Sequence, residues 1–235
     1  MDAINLKGAL KKACYRCYTQ SYKHPKSLTK RSEKMDTLNF AGFKCQALYS
    51  KGKGGTPIVF LHGLSYDIGV WQRIKIFDTL QEKQIPFLAL DMPYGAKSQC
   101  EPKTRDPQAN ITLIAEAISS LFGDEAPVLV GASLGGYMAL NYASKHPVKG
   151  MLLISPAFAF KDSELVFKYM NFHFPIRVIW GNNDTVISGE EMRVLVDKLP
   201  DAKLLVYNNA THSAYQDQPE WFKTDLLKLY AQATT

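Results

Sequence analysis

Short, almost wholly apolar runs recur along this chain at wide intervals, at residues 57–61, 86–90, 128–130, 151–154 and 176–180. Each is too short for a helix and too apolar for a strand with one wet face. Between them lie longer stretches with helical spacing, at 71–84, 110–122, 136–145, 189–199 and 219–231. Strands buried on both faces and separated by helices imply a mostly parallel sheet with helices on either side. Further strands are expected at 43–49 and 203–207 and a short helix at 162–171, in a doubly wound α/β sheet of about eight strands.

In open sheets of this kind, ligands bind beyond the carboxyl ends of the strands. The residues that follow the apolar runs are chemically biased. His62-Gly63 follows one run, Asp91 the next and Ser133 the next. Asp184 follows 176–180 through Gly181-Asn182-Asn183, and His212 follows 203–207.

Ser133 lies in Gly131-Ala132-Ser133-Leu134-Gly135, a G-x-S-x-G between an expected strand and an expected helix. A serine on so sharp a turn has its hydroxyl thrust out of the backbone, and the glycines remove side chains that would clash there. The first amides of the following helix point at the same spot, where an oxyanion could form. A serine hydroxyl still needs a base to take its proton, and imidazole titrates in a suitable range. The imidazole in turn needs a carboxylate to fix its tautomer. The chain order Ser133, Asp184, His212 is the order associated with this turn on a doubly wound sheet.

With these residues in view, the chain over roughly 37–232 resembles the α/β-hydrolase superfamily. His62-Gly63-Leu64 resembles the family's oxyanion loop. Asp91-Met92-Pro93-Tyr94-Gly95-Ala96-Lys97-Ser98 is similar to its D-x-P-G-x-G-x-S loop, and Gly181-Asn182-Asn183-Asp184 to its G-x-x-D. His212, followed by Asp217-Gln218-Pro219-Glu220, is similar to the family's closing motif, and Trp71-Gln72 also fits. The resemblance implies Ser133 as nucleophile, His212 as base and Asp184 as orienting acid. It implies the amides of Leu64 and Leu134 as oxyanion donors. The chain departs from the pattern at Tyr94 and Ala96, which replace glycines, and at Thr185, where many relatives have proline.

Other polar residues have plainer readings. His62 is expected to shape its loop, Asp91 to brace its turn, and His146 to serve a helix C-terminus. Asp217 and Glu220 are expected to start the last helix.

The connection at 155–175 is long enough for one short helix, so the lid is expected to be minimal and the site open. Pro156, Phe158, Phe160, Met170 and Phe172 come from this connection, and either line an apolar acyl pocket or simply pack the helix to the sheet. Tyr66 and Val186 are further wall candidates. No Lys or Arg is obviously placed for an anionic group. The function expected is a serine hydrolase acting on a carboxylic ester or related acyl bond of a small-molecule substrate. An acyl-thioesterase or protein deacylase, and a catalytically silent binding module on the same fold, are the alternatives. No motif asks for a metal or an organic cofactor.

The formal charge of +6 misleads. Residues 1–34 hold nine Lys and Arg against Asp2 and Glu33, which leaves 19 basic and 20 acidic residues in 35–235. A nearly neutral main domain argues against a nucleic-acid function. The chain therefore reads as a basic N-terminal extension, 1–34, and one hydrolase-like domain, 35–235. Leu6, Leu10, Ala13, Cys14 and Cys17 share one face of a helical wheel in the extension, which suits weak contact with an anionic membrane surface or an organelle presequence. Without an apolar leader the expected location is cytoplasmic, or organellar if the extension is a presequence. Cys14-x-x-Cys17 lacks a second pair at ligand spacing, and Cys14, Cys17, Cys45 and Cys100 are expected to be reduced thiols.

Overall fold

The computed structural model describes residues 34–235. The expected extension helix and the Cys14/Cys17 pair lie outside these residues. Strands β1 (Lys34–Phe40), β2 (Phe43–Ser50), β3 (Ile58–Leu61), β4 (Phe87–Leu90), β5 (Val128–Ala132), β6 (Gly150–Ile154), β7 (Ile176–Gly181) and β8 (Ala202–Tyr207) form one sheet. Its order is β1-β2-β4-β3-β5-β6-β7-β8. β1 pairs antiparallel with β2, and β2 with β4; every later pairing is parallel. The expected doubly wound α/β sheet of eight strands is therefore the observed one.

The apolar runs are buried because both sheet faces are covered. On one side lie α3 (Pro107–Phe122), α4 (Leu134–Ala143), α5 (Ser163–Lys168) and α6 (Gly189–Lys198), which meet Val59, Leu61, Leu129 and Leu153. On the other lie α1 (Gly69–Arg73), α2 (Ile76–Glu82), α7 (Ala214–Asp217) and α8 (Pro219–Ala233), which meet Ile58, Phe60, Val130 and Ile154. Alternate residues of one strand thus feed two separate cores. Helix starts follow local chemistry: Asp106 accepts from the Ala109 amide at 2.7 Å ahead of Pro107, and Ser188 accepts from Glu191 at 3.1 Å.

Some elements differ from expectation. The stretch 71–84 is two helices, broken at Lys75 with φ 54°. Ile74 and Ile76 are both buried. Residues two apart point to different sides of a continuous helix, so the break lets both enter the core. β1 is an additional strand at the sheet edge, in which exposed Met35, Thr37 and Asn39 alternate with the less exposed Asp36, Leu38 and Phe40. It is paired through a tight turn at Ala41 (φ 49°) and Gly42 (φ 80°), the conformation that suits a hairpin. Cys45 and Cys100 are joined as a disulfide, which corrects the expectation of free thiols. Lys44 and Glu101 exchange backbone hydrogen bonds at 2.7 and 3.1 Å, and this bridge sets the two cysteines opposite each other across 55 residues of sequence. A bonded pair is the exception in the cytosol, so a cytoplasmic location does not follow from the cysteines. Among the described residues no helix is long and apolar enough to cross a membrane.

Candidate active site

The turn after β5 is as sharp as its glycines demand. Ser133 has φ 52° and ψ −114°, a region that non-glycine residues rarely occupy. A Cβ on Gly131 would lie 2.5 Å from the Gly135 carbonyl oxygen, and one on Gly135 would lie 2.2 Å from the Leu61 carbonyl oxygen. The glycines thus let α4 start directly against β3 and β5. The Ser133 amide donates to Ile154 at 2.9 Å, and its carbonyl accepts from Gly136, Tyr137 and Ala157. The backbone is held from both sides while the side chain stays half-exposed.

The Asp184 carboxylate and the His212 imidazole meet beyond the ends of β7 and β8, with Nδ1 to Oδ2 at 2.9 Å. The carboxylate is fully buried and the imidazole 24% exposed. The other carboxylate oxygen of Asp184 accepts from the amides of Val186 and Ile187 at 2.8 and 3.0 Å. Burial pushes the Asp184 carboxyl up, but hydrogen bonds from His212, Ile187 and Val186 outweigh it and leave it below its ordinary value. An ionised Asp184 leaves Nδ1 as the protonated nitrogen, so Nε2 has a free lone pair. The Ser155 hydroxyl, buried at φ 40°, adds a small downward pull on Asp184 without closing a hydrogen bond. Gly181 is required here because a Cβ would lie 2.3 Å from the Ala210 carbonyl oxygen of the histidine loop. Among the described residues, Ser133 Oγ makes no hydrogen bond. Such contacts are often long before substrate binds.

Leu64 and Leu134 flank the turn. Among the described residues the Leu64 amide has no acceptor, and Leu134 is the first residue of α4, whose amide has no partner within the helix. The loop behind them is tightly built. His62 is fully buried; its Nδ1–H donates to Gly63 at 2.9 Å and its Nε2 accepts from Met92 at 2.9 Å, which defines a neutral tautomer. Asp91 accepts from Gln99 at 2.7 Å and from Ile68 at 3.4 Å. Burial raises its pKa, yet hydrogen bonding, that of the Gln99 amide included, brings it below the ordinary value. Tyr94 fills the space left by the family's glycine, and its hydroxyl donates to the His62 carbonyl at 2.8 Å. Gly95, at a position the family pattern leaves open, has no room for a Cβ, which would lie 2.5 Å from His62 Cε1.

The expected wall residues divide. Phe158 lies one residue beyond Ala157, which bonds Ser133; it is 52% exposed and meets Tyr137 edge-on at 6.1 Å. Val186 is exposed beside Asp184. Phe160 packs against the core, and Phe172 is buried between Tyr169 and Phe174, so these two serve packing. Met170 is exposed. Tyr66 reaches across to the Ser213 hydroxyl at 2.9 Å.

Three further details bear on the sequence-based expectations. Asp217 does not start the last helix but ends α7, and it accepts from Thr211. Lys103 and Arg105 line a cleft with Pro93, Tyr94, Ala96 and Thr104, beside the loop that follows β4. His146 caps the end of α4 through its amide, which donates to the Tyr142 carbonyl at 2.9 Å, and its ring stacks on Tyr142 at 4.6 Å; burial, with Lys145 nearby, lowers its pKa. Among the described residues no group of three His, Cys, Asp or Glu side chains gathers as a metal site would require.

The family model for the alpha/beta hydrolase fold matches residues 56–169. Protein ABHD14A of Danio rerio is 26% identical over 172 residues, which are 72% of this chain and 62% of that protein. The chain thus spans about three-fifths of that relative's length. The human "Putative protein-lysine deacylase ABHD14B" is 24% identical over 206 residues, 86% of this chain and 95% of that one. Among solved structures, a "predicted CIB-like hydrolase" from Thermoplasma acidophilum has a TM-score of 0.75 at 18% identity, over 85% of this chain and 98% of that one. The carboxylesterase CesB from Bacillus subtilis has a TM-score of 0.70 at 17% identity, over 86% and 92%. With its strand order, its G-x-S-x-G turn and these likenesses, the chain has the alpha/beta hydrolase fold, and its residues 56–169 match that family's model.

Proposed function

We propose that this chain is a serine hydrolase that opens an acyl bond through an acyl-serine intermediate. The observation that carries the reading is the strained Ser133 at the strand-to-helix turn, with an Asp184–His212 pair at the ends of β7 and β8 in the same sheet. His212 Nε2 takes the Ser133 proton as Oγ attacks the carbonyl carbon. The negative oxygen of the tetrahedral intermediate accepts from the Leu64 and Leu134 amides. His212 then gives its proton to the leaving group, the bond to that group breaks, and the acyl-serine remains. Water, deprotonated by His212, releases the acid. Asp184 stays ionised throughout and stabilises the charged imidazole.

Phe158 and Val186 are proposed to border the acyl group, with the ring of Tyr66 nearby. The deacylase reading has one specific support: ABHD14B aligns over nearly its full length. The short 155–175 connection also leaves room for a large leaving group, including a protein side chain.

The test is labelling with a fluorophosphonate probe, followed by kinetics on esters, thioesters and acyl-lysine peptides. Ser133 should label, and Ser133→Ala should lose both labelling and several orders of magnitude in kcat. An unlabelled wild-type protein would identify a silent binding module instead. Faster turnover of acyl-lysine peptides than of esters would select the deacylase.

A further inference from the structure

We propose that Tyr66 and Ser213 form a latch that holds the oxyanion loop and the histidine loop in register, which makes both positioning residues. The inference rests on the acyl-serine reading and extends it to residues outside the expected triad. Tyr66 lies two residues beyond Leu64, and Ser213 directly follows His212. Their hydroxyls meet at 2.9 Å although 147 residues separate them. This hydrogen bond spans directly from the loop of the proposed oxyanion donor to the loop of the proposed base.

Both ends of the latch are anchored. The Tyr66 amide donates to Gly63 at 3.1 Å and closes a tight turn around Leu64. The Tyr66 carbonyl is pressed against Gly95, where a Cβ would come within 2.7 Å of it. At the other end, the Ser213 carbonyl accepts from Gln216 at 2.7 Å and Asp217 at 3.2 Å, so it opens α7. The ring of Tyr66 is also close to the nucleophile. A Cβ on Gly63 would lie 3.5 Å from Ser133 Cβ and 3.6 Å from Tyr66 Cδ2. A shift of Tyr66 away from Ser213 therefore moves Leu64 relative to Ser133, and frees His212 relative to both.

A single half-buried hydroxyl pair adds little to global stability. Its consequence is geometric: a displacement of the order of 1 Å at a reacting centre slows the reaction far more than the strength of one hydrogen bond suggests. The latch should accordingly affect the chemical step and leave binding and folding nearly untouched.

Tyr66→Phe keeps the ring and removes one hydroxyl. Ser213→Ala removes the other, and Ser213→Thr keeps it. On a simple aryl ester, Tyr66→Phe and Ser213→Ala should each lower kcat by about tenfold, with KM within about twofold. The double variant should be no slower than the slower single variant, because both remove the same bond. Fluorophosphonate labelling of Ser133 should slow by the same factor, and Ser213→Thr should restore the rate. Thermal midpoints should stay within about 2 °C, which excludes a folding defect. Multiplying losses in the double variant, or a kcat near wild type in either single variant, would overturn the latch. So would a loss confined to Tyr66→Phe, or expressed only in KM, since Tyr66 would then contact the substrate itself. Failure of the parent reading is distinct, because Ser133 of the wild-type protein would not label at all.

Discussion

Thr211 donates both its amide and its hydroxyl to one carboxylate oxygen, Asp217 Oδ2, each at 2.7 Å. Thr211 immediately precedes His212, so Asp217 pins the turn that presents the proposed base. The carboxylate does this from the surface, where it contributes little to the core. Asp217→Ala should lower kcat several-fold while changing the thermal midpoint little, and Asp217→Asn should fall between Asp217→Ala and wild type. Kinetics on an aryl ester with a melting curve for each variant checks this. An activity equal to wild type in Asp217→Ala would show that the Gly181 approach and the Tyr66–Ser213 bond hold the loop without it.

Ser133 at φ 52° occupies a region that costs of order 1–3 kcal/mol for a residue with a Cβ. Ser133→Ala keeps that strain, and Ser133→Gly removes it at some cost in chain entropy. Both should be inactive, yet Ser133→Gly should melt about 2–4 °C above Ser133→Ala, the shift expected for ~1 kcal/mol in a domain this size. Equal melting temperatures would mean that the turn stores no strain at this residue.

These two sites differ in how far they are legible from sequence. The strand-end positions of Ser133, Asp184 and His212 can be read because each follows an expected strand, and the motifs of the first two carry glycines that answer a local backbone demand. The parallel sheet is legible for a similar reason, as buried strands announce themselves by continuous apolarity. What cannot be read depends on register between elements far apart in the chain. Tyr66 meets Ser213, and Cys45 meets Cys100, only once β2, β4 and β8 have taken their places. The break at Lys75 is hidden because two isoleucines at i and i+2 look like one helical segment until the core shows that both are buried. Asp217 looks like a helix-start residue because Pro219 follows it, and no sequence signal separates that role from support of Thr211.

Asp91 should contribute stability with a definite pH dependence. Its carboxyl titrates below 3.8 in the folded state, because hydrogen bonding outweighs the opposing effect of burial. A lowered folded-state value means the contribution is complete at neutral pH, and is lost as pH falls below about 4 towards the folded-state value. Asp91→Ala should therefore cost about 1–3 kcal/mol at pH 7, by leaving the Gln99 and Ile68 amides without their acceptor. The gap from wild type should narrow between pH 4 and pH 3. Urea unfolding across that range is the measurement, and a gap that stays constant would place the contribution in packing instead of charge.

Acyl-chain preference should be shallow, and the reason is space. The connection after β6 builds only α5 and a single 3₁₀ turn at Tyr169–Asn171. Phe158 and Val186, proposed to border the acyl group, stay more than half exposed. With no roof over these side chains among the described residues, each added methylene of an acyl chain is only partly removed from water. It should gain less than the ~0.8 kcal/mol of full burial, which corresponds to less than about fourfold per methylene. Across p-nitrophenyl esters from acetate to palmitate, kcat/KM should rise gently and level off at medium length. Phe158→Ala should flatten the rise further, because that ring is the exposed apolar surface next to the Ser133 turn. A steep increase that continues to palmitate, or activation at a lipid interface, would require a tunnel or a cover that 155–175 does not build.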